Sequence, residues 1–303
     1  MTPIAVAFTQ NYFVPAATML RSLLDSSCSD YHVICLLAED LPLRMRQKLE
    51  SLDCSRLEVE YRNMSGMVKG VQVEPRYTEA ALFRLLLPDL LPEYDQVVYA
   101  DCDMIIRQDV AELYSNTNLD DNYLGAVYEA PIEGQAERFE SLGCNPKEYF
   151  NSGFLLMNLK QMREEYVVKK FLEAAKRDDL EFPDQDVLNI VCSGRVFPIE
   201  PIYNSIRTFM LPQYRKDFLA QYSESQWHDV QEKGSIHYTG GKPWGLFSVK
   251  FGEWWRTYES LPQEIKDEWT PNRKVYGLCR IYRTAPGRWC IDTVQSIYRR
   301  MKS

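Results

Sequence analysis

The first hundred residues alternate short apolar runs with amphipathic stretches, and this alternation restricts the possible folds more than any other feature. Ile4-Ala5-Val6-Ala7-Phe8 reads as a buried strand; a helix opens near Tyr12 and ends in the polar cluster Asp25 to Asp30. His32 to Leu37 is a second strand, and Leu41 to Leu52 carries Leu and Met at helical spacing among bases. Leu57 to Tyr61 alternates like a half-buried strand, and Glu79 to Leu87 is a helical stretch that Pro88 is expected to stop. Val97-Val98-Tyr99 is a further buried strand, ending in Ala100-Asp101-Cys102-Asp103. Strands separated by helices demand crossovers, so the chain is expected to form an α/β domain with a mostly parallel central sheet and helices on its faces.

Downstream the pattern is more mixed. Tyr123 to Tyr128 and Gly153 to Met157 read as strands, Gln161 to Arg177 as one long helix, and Asp184 to Cys192 as a short one. Ile236-His237-Tyr238 is a last short strand before a glycine pair. A length of 303 residues is enough for one large domain, and 45% hydrophobic with 26% charged residues excludes a disordered chain. No apolar run reaches the ~20 residues of a membrane helix. Met1 to Phe8 lacks a basic leader and a small-residue cleavage site, so a cytosolic protein is expected. The eight cysteines never fall as Cys-x-x-Cys and are expected to be reduced and mostly buried.

The net charge of −8 hides a split. Residues 271–303 hold eight Lys/Arg against the single acid Asp292, leaving +7 there and −15 on residues 1–270. An acidic body argues against nucleic acid as a partner. The charge changes sign at Thr270-Pro271-Asn272, which is expected to separate a main domain, 1–270, from a small basic extension, 271–303. That extension interleaves its bases with Tyr276, Leu278, Ile281, Trp289 and Tyr298. The mixture suits an anionic membrane surface, at about 1 kcal/mol per base near it, so a peripheral place at the inner face of the membrane is expected; the alternative is a solvated terminal helix with a few core anchors.

Several common sites are absent. No Gly-x-Gly-x-x-Gly follows the first strand, Gly241-Lys242 lacks the rest of a P-loop, and neither His-Glu-x-x-His nor Gly-x-Ser-x-Gly occurs. Four segments remain. Asp101-Cys102-Asp103 leaves a buried strand at the end where open α/β sheets bind ligands, and two acids at this spacing can grip one divalent cation on a diphosphate. An Asp-x-Asp alone is as often a solvated surface pair, but apolar Met104-Ile105-Ile106 makes these acids costly to bury without a partner. His237-Tyr238-Thr239-Gly240-Gly241-Lys242-Pro243-Trp244 combines an imidazole, a flexible turn and a cation suited to phosphate. Phe150-Asn151-Ser152-Gly153-Phe154 reads by itself as a strand start, and Pro183-Asp184-Gln185-Asp186 as a helix N-terminus.

Taken together and in this order, the four segments resemble glycosyltransferase family 8, the retaining nucleotide-sugar transferases that include bacterial lipopolysaccharide galactosyl- and glucosyltransferases. The resemblance covers Ile4 to about Trp244. It implies a GT-A fold with a Rossmann-like nucleotide-binding half and a UDP-sugar donor. It also implies Mn²⁺, with Mg²⁺ as the alternative, held by Asp101, Asp103 and His237. Two carboxylates and an imidazole suit Mn²⁺ better than ions that prefer all-oxygen shells. By the same resemblance Ala7, Thr9, Asn11, Tyr12 and Cys102 would form the nucleotide pocket, with Tyr12 stacking on uracil. Arg84 would contact the donor sugar or phosphate. Lys242 and the backbone at Gly240 would stabilise the leaving diphosphate, and Asn151, Asp184 and Gln185 would line the donor sugar and its reacting face, with Asp184 and Gln185 as the catalytic pair.

Two positions depart from the family pattern. Thr9 and Gln10 occupy a turn where an Asp usually reads uracil, and Glu129 stands where an Asp is expected near the donor sugar. Gln185 is a poor nucleophile, which favours a front-face mechanism over double displacement. The implied reaction moves galactose or glucose from its UDP-sugar to a glycan or glycolipid acceptor, such as lipopolysaccharide, capsule or another lipid-linked surface glycan. Transfer to a protein or to the chain's own tyrosines, and sugar-nucleotide binding without turnover, are the alternatives.

Overall fold

The computed structural model describes residues 1–68, 79–245, 248–282 and 284–300, excepting the side chains of 292 and 294–300. Arg283 and Lys302, counted above among the basic residues of the extension, lie outside the described residues. Seven strands form the main sheet: β1 (Thr2–Phe8), β2 (Tyr31–Leu37), β3 (Leu57–Asn63), β4 (Gln96–Ala100), β6 (Leu124–Tyr128), β7 (Phe150–Asn158) and β8 (Val196–Pro198). Their order is β3-β2-β1-β4-β7-β6-β8. The first four run parallel, β7 is antiparallel to both β4 and β6, and β8 is parallel to β6. Strands β1, β4 and β7 are buried along almost their whole length, because helices cover both faces of the sheet.

A second, two-stranded ladder matters more for the site. β5 (Met104–Ile105) runs antiparallel to β9 (Ile236–His237), with Met104 opposite His237. The apolar residues after Asp103 therefore leave the main sheet and clamp the segment that carries His237.

Three local expectations are corrected. The stretch Gln161 to Arg177 is two helices, Leu159–Glu164 and Val167–Ala174, broken by Tyr166 in the left-handed region at φ 54°. Leu159 and Met162 are buried on the first helix, and Val167, Val168 and Phe171 on the second. Pro88 does not stop a helix; it lies in the first turn of the short helix Leu87–Leu90, where its missing N–H costs nothing, after the 3₁₀ segment Glu79–Leu86. The last strand ends at His237, before Tyr238. Five cysteines are buried and three exposed, all of them free.

Beyond residue 245, the helix Phe251–Ser260 brings Trp254 and Trp255 into the core. Trp244 bridges from this cluster to Tyr12, with ring centroids 5.1 Å from Trp254 and 5.7 Å from Tyr12. The helix Arg273–Tyr282 packs Tyr276 on Trp255 and buries Val275 and Cys279, and the helix Ala285–Arg300 follows it. Among the described residues no helix is long and apolar enough to cross a membrane.

Candidate active site

Parallel strands β1 and β4 end side by side, so the residues that follow them share one edge of the sheet. Cys102 Sγ lies 3.6 Å from the carbonyl oxygen of Ala7 across that edge. A cleft of about 480 Å³ opens here. Its lining includes Ala7, Thr9, Tyr12, Arg84, Asp101, Cys102, Asp103, Asn151, Asp184, Gln185, His237 and Lys242. Asn11 and Gly240 are exposed and do not line it; nor does Gln10, which is also exposed. Gly240 has φ +108°, a backbone that favours glycine. The cleft wall also contains Glu129, Gln135, Phe139 and Phe182.

Oxygen and nitrogen atoms of Asp101, Asp103 and His237 lie within 4.8 Å of one another. His237 Nε2 is 3.3 Å from Asp103 Oδ1 and 3.7 Å from Asp101 Oδ2. Lys242 Nζ donates to Asp103 Oδ2 and, at 2.8 Å, to the carbonyl of Tyr238. The main chain fixes this grouping, since Asp101 N donates to Gly153 O at 2.8 Å and Tyr238 N to Asp103 O at 3.1 Å.

Burial pushes the Asp101 carboxyl above the usual carboxylate range, and the neighbouring Asp103 charge adds to this against the pull of Arg84. Burial works the same way on Asp103, but Lys242 and His237 prevail and hold it well below that range. Asp103 Oδ1 is nevertheless buried without a hydrogen bond. Two crowded carboxylates, one with an unengaged oxygen facing an imidazole nitrogen, form a locus that a divalent cation would complete. The donor set therefore fits a metal.

Arg84 organises the floor of the cleft. It is only 4% exposed. Its guanidinium donates to Asp101 Oδ1 at 2.8 Å, to Ser152 O at 2.6 Å and to Ala81 O at 3.0 Å, and it lies 3.3 Å from Asp184 Oδ2. Burial opposes its charge, yet the surrounding carboxylates raise its pKa. The helix Pro183–Cys192 is stitched to β7 by Asn189, whose side chain bonds both the N–H and the C=O of Phe150. This sets Asp184 and Gln185 against Asn151 and Ser152. Ser152 Oγ donates to Asp184 Oδ2 at 2.9 Å, and Asn151 Nδ2 to Gln185 Oε1 at 2.9 Å. Gln185 Nε2 donates to Glu129 Oε1 at 3.1 Å. Burial raises the Glu129 pKa to about 7, although hydrogen bonds from Gln185 and Asn151 oppose the shift. Asp186, next along, faces away into Tyr149 and Arg138, each at 2.5 Å.

The match to the family model for glycosyl transferase family 8 spans residues 3–246. The chain belongs to glycosyltransferase family 8. Among curated relatives, it is 28% identical over 176 residues to general stress protein A of Bacillus subtilis, covering 55% of this chain and 59% of that protein. It is 25% identical over 229 residues to a lipopolysaccharide 1,2-glucosyltransferase of Escherichia coli K12, covering 73% and 65%. The chain thus spans about three fifths of the length of these relatives. Among solved structures, the galactosyltransferase LgtC in complex with donor and acceptor sugar analogues superposes with a TM-score of 0.74 at 22% identity, over 88% of this chain and all of that one. The fold is accordingly GT-A, and the acidic cluster of this family 8 member lies at the carboxyl edge of its parallel strands.

Sequence reasoning missed Asn204, which is fully buried and bonds His237 Nδ1 at 2.9 Å. It lies outside all four motif segments, and a lone Asn after Pro201-Ile202-Tyr203 looks like an ordinary loop residue.

Proposed function

We propose that this chain is a retaining glycosyltransferase that moves galactose or glucose from a UDP-sugar to a glycan acceptor, with Mn²⁺ as its metal and Mg²⁺ as the alternative. The observation that carries this reading is the convergence of Asp101, Asp103, His237 and Lys242 in the cleft at the end of β4. Asp101, Asp103 and His237 would hold the metal. When bound, it supplies Lewis-acid neutralisation of the charge growing on a departing diphosphate. Lys242 already sits among these groups as a cation and adds to that stabilisation. Ala7, Thr9, Tyr12 and Cys102 line the nucleotide end; Asn151, Asp184 and Gln185 line the sugar end.

The hydrogen bonds at the sugar end favour a front-face reaction. Gln185 Oε1 already accepts from Asn151 and from Ser152 N, and Asp184 Oδ2 from Ser152 Oγ. The Gln185 amide oxygen is thus not presented as an unengaged nucleophile, whereas Asp184 keeps Oδ1 outside these bonds and is the residue to test. In this route the sugar–phosphate bond breaks as the acceptor oxygen bonds the same face of the anomeric carbon. The acceptor proton passes to the departing phosphate. A covalent sugar trapped on Asp184 and seen by mass spectrometry would overturn it.

The acceptor reading, a lipopolysaccharide-like or other lipid-linked glycan, draws on the relative named as a lipopolysaccharide 1,2-glucosyltransferase. In this reading the catalytic domain is 1–270, and 271–303 is a surface segment that meets anionic lipid at the cytoplasmic face. Exposed Leu278, Ile281 and Trp289 beside exposed Arg273, Lys274, Arg280 and Arg288 support it.

The deciding experiment is a thermal-shift and turnover panel with Mn²⁺ and UDP, UDP-glucose, UDP-galactose, UDP-N-acetylglucosamine or GDP-mannose, each with and without chelator. One UDP-hexose should give a chelator-sensitive stabilisation, about 2.7 kcal/mol at a hundred times its Kd. No shift with any UDP-sugar would overturn the reading.

A further inference from the structure

Five buried side chains form one directed line through the site. His237 Nδ1 meets Asn204 Oδ1 at 2.9 Å, and Asn204 Nδ2 donates to Asn151 Oδ1 at 3.0 Å. Asn151 Nδ2 donates to Gln185 Oε1 at 2.9 Å, and Gln185 Nε2 to Glu129 Oε1 at 3.1 Å. None of the five is more than 9% exposed, and Asn204 is fully buried.

Two main-chain groups set the direction. Gly153 N donates to Asn151 Oδ1 at 3.1 Å, and Ser152 N donates to Gln185 Oε1 at 3.2 Å. A peptide N–H cannot turn into an acceptor, so both amides must present their carbonyl oxygens where they do. Asn151 Oδ1 then demands a donor from Asn204, which turns Asn204 Oδ1 toward the imidazole. An oxygen facing Nδ1 requires a proton on Nδ1. The lone pair of His237 is thereby assigned to Nε2, the nitrogen 3.3 Å from Asp103 Oδ1. The same local pairing brings Asn204 to the ring, because Ser205, its neighbour, bonds both Ser235 and His237 through the main chain.

We propose that Asn204 is a positioning residue that keeps a proton on His237 Nδ1, so that Nε2 is the metal donor and the metal locus is tied through Asn151 to Gln185. This rests on the metal assignment above but adds a residue outside it. Partners that fix a ligating imidazole in this way are worth roughly ten- to a hundredfold in metal affinity.

The test uses the full chain with Asn204→Leu, Asn204→Asp and His237→Ala. Two readouts are taken: the protonation of His237 Nδ1, from imidazole ¹⁵N shifts without metal at pH 8, and the Kd for Mn²⁺ alone by calorimetry. With only three histidines, the resonances are assignable by His237→Ala. The wild type should carry a proton on Nδ1. Asn204→Leu should lose it and bind Mn²⁺ ten- to a hundredfold more weakly, while Asn204→Asp, which keeps the acceptor facing Nδ1 but loses the donor to Asn151, should retain the proton on Nδ1. A wild-type ¹⁵N signature in Asn204→Leu, or an unprotonated Nδ1 in Asn204→Asp, would overturn the proposal. Should Asn204→Leu fail to fold, the Asn204→Asp signature decides. If His237→Ala binds Mn²⁺ like the wild type, the metal assignment fails instead; the ¹⁵N readout, which needs no metal, still decides the role of Asn204.

Discussion

A Cβ on Gly153 would stand 2.1 Å from Cε1 of His237 and 2.8 Å from Oδ2 of Asp101. The ring and the carboxylate occupy the space that any other residue at 153 would need. Gly153→Ala should therefore displace His237 rather than unfold β7. We expect a stability loss of about 1–3 kcal/mol, as for other overpacked sites, together with at least a tenfold loss of Mn²⁺ affinity. Calorimetric titration beside thermal unfolding checks this; unchanged Mn²⁺ affinity would contradict it.

Asp103→Asn removes the charge that Lys242 and His237 hold in place while leaving the shape of the side chain. Metal-dependent donor binding should disappear, with the circular dichroism spectrum unchanged. Unaltered turnover would remove Asp103 from the metal set.

Glu129 gives a pH signature. Its folded pKa of about 7 lies above the ordinary 4.5, so the folded state binds more protons than the unfolded state between those values. Stability then falls as pH rises through that window, and the full penalty, on the order of 3 kcal/mol, is present above pH 7 and absent below 4.5. Glu129→Gln keeps an acceptor for Gln185 and removes the charge. It should raise the stability at pH 8 and leave it nearly unchanged at pH 4, as read by urea unfolding at both values. Equal effects at the two pH values would sink this account.

The basic extension needs a test that spares the core. Truncation after Pro271 would strip Val275, Tyr276 and Cys279 from their packing, so loss of binding would be uninformative. The double change Ile281→Ser and Trp289→Ser removes only side chains that are 53% and 70% exposed. Melting should stay within about 1 kcal/mol of wild type, whereas co-sedimentation with anionic vesicles should drop several-fold at low salt. Unchanged sedimentation would argue for a merely solvated helix.

Much of the fold was legible in the chain. Strands such as Ile4 to Phe8 and Val97 to Tyr99 are buried on both faces and therefore read as continuous apolar runs. Boundaries failed where packing overrode local pattern, as at Tyr166, whose left-handed backbone leaves no mark in composition. The strands β5 and β8 are too short, at two and three residues, to carry any periodicity.

Asp101-Cys102-Asp103 and the segment from His237 stand out by residue type, because carboxylates and an imidazole beside apolar strands are costly unless something engages them; the segments 150–154 and 183–186 read by themselves as a strand start and a helix N-terminus, and only the resemblance to the family singles them out. By itself, then, the sequence determined the mostly parallel α/β architecture and the four segments that supply the acids, the imidazole and the lysine. The tertiary structure decided how those groups are wired. Only it pairs Met104 with His237, commits Arg84 to Asp101 and Ser152, leaves Asn11 and Gly240 off the cleft wall, and brings Asn204 to the imidazole. The reason is distance along the chain: strand and helix patterns arise from neighbours a few residues apart, whereas each of these contacts joins residues 17 to 133 positions apart. Which amide faces which depends on two peptide N–H groups that no side-chain pattern records.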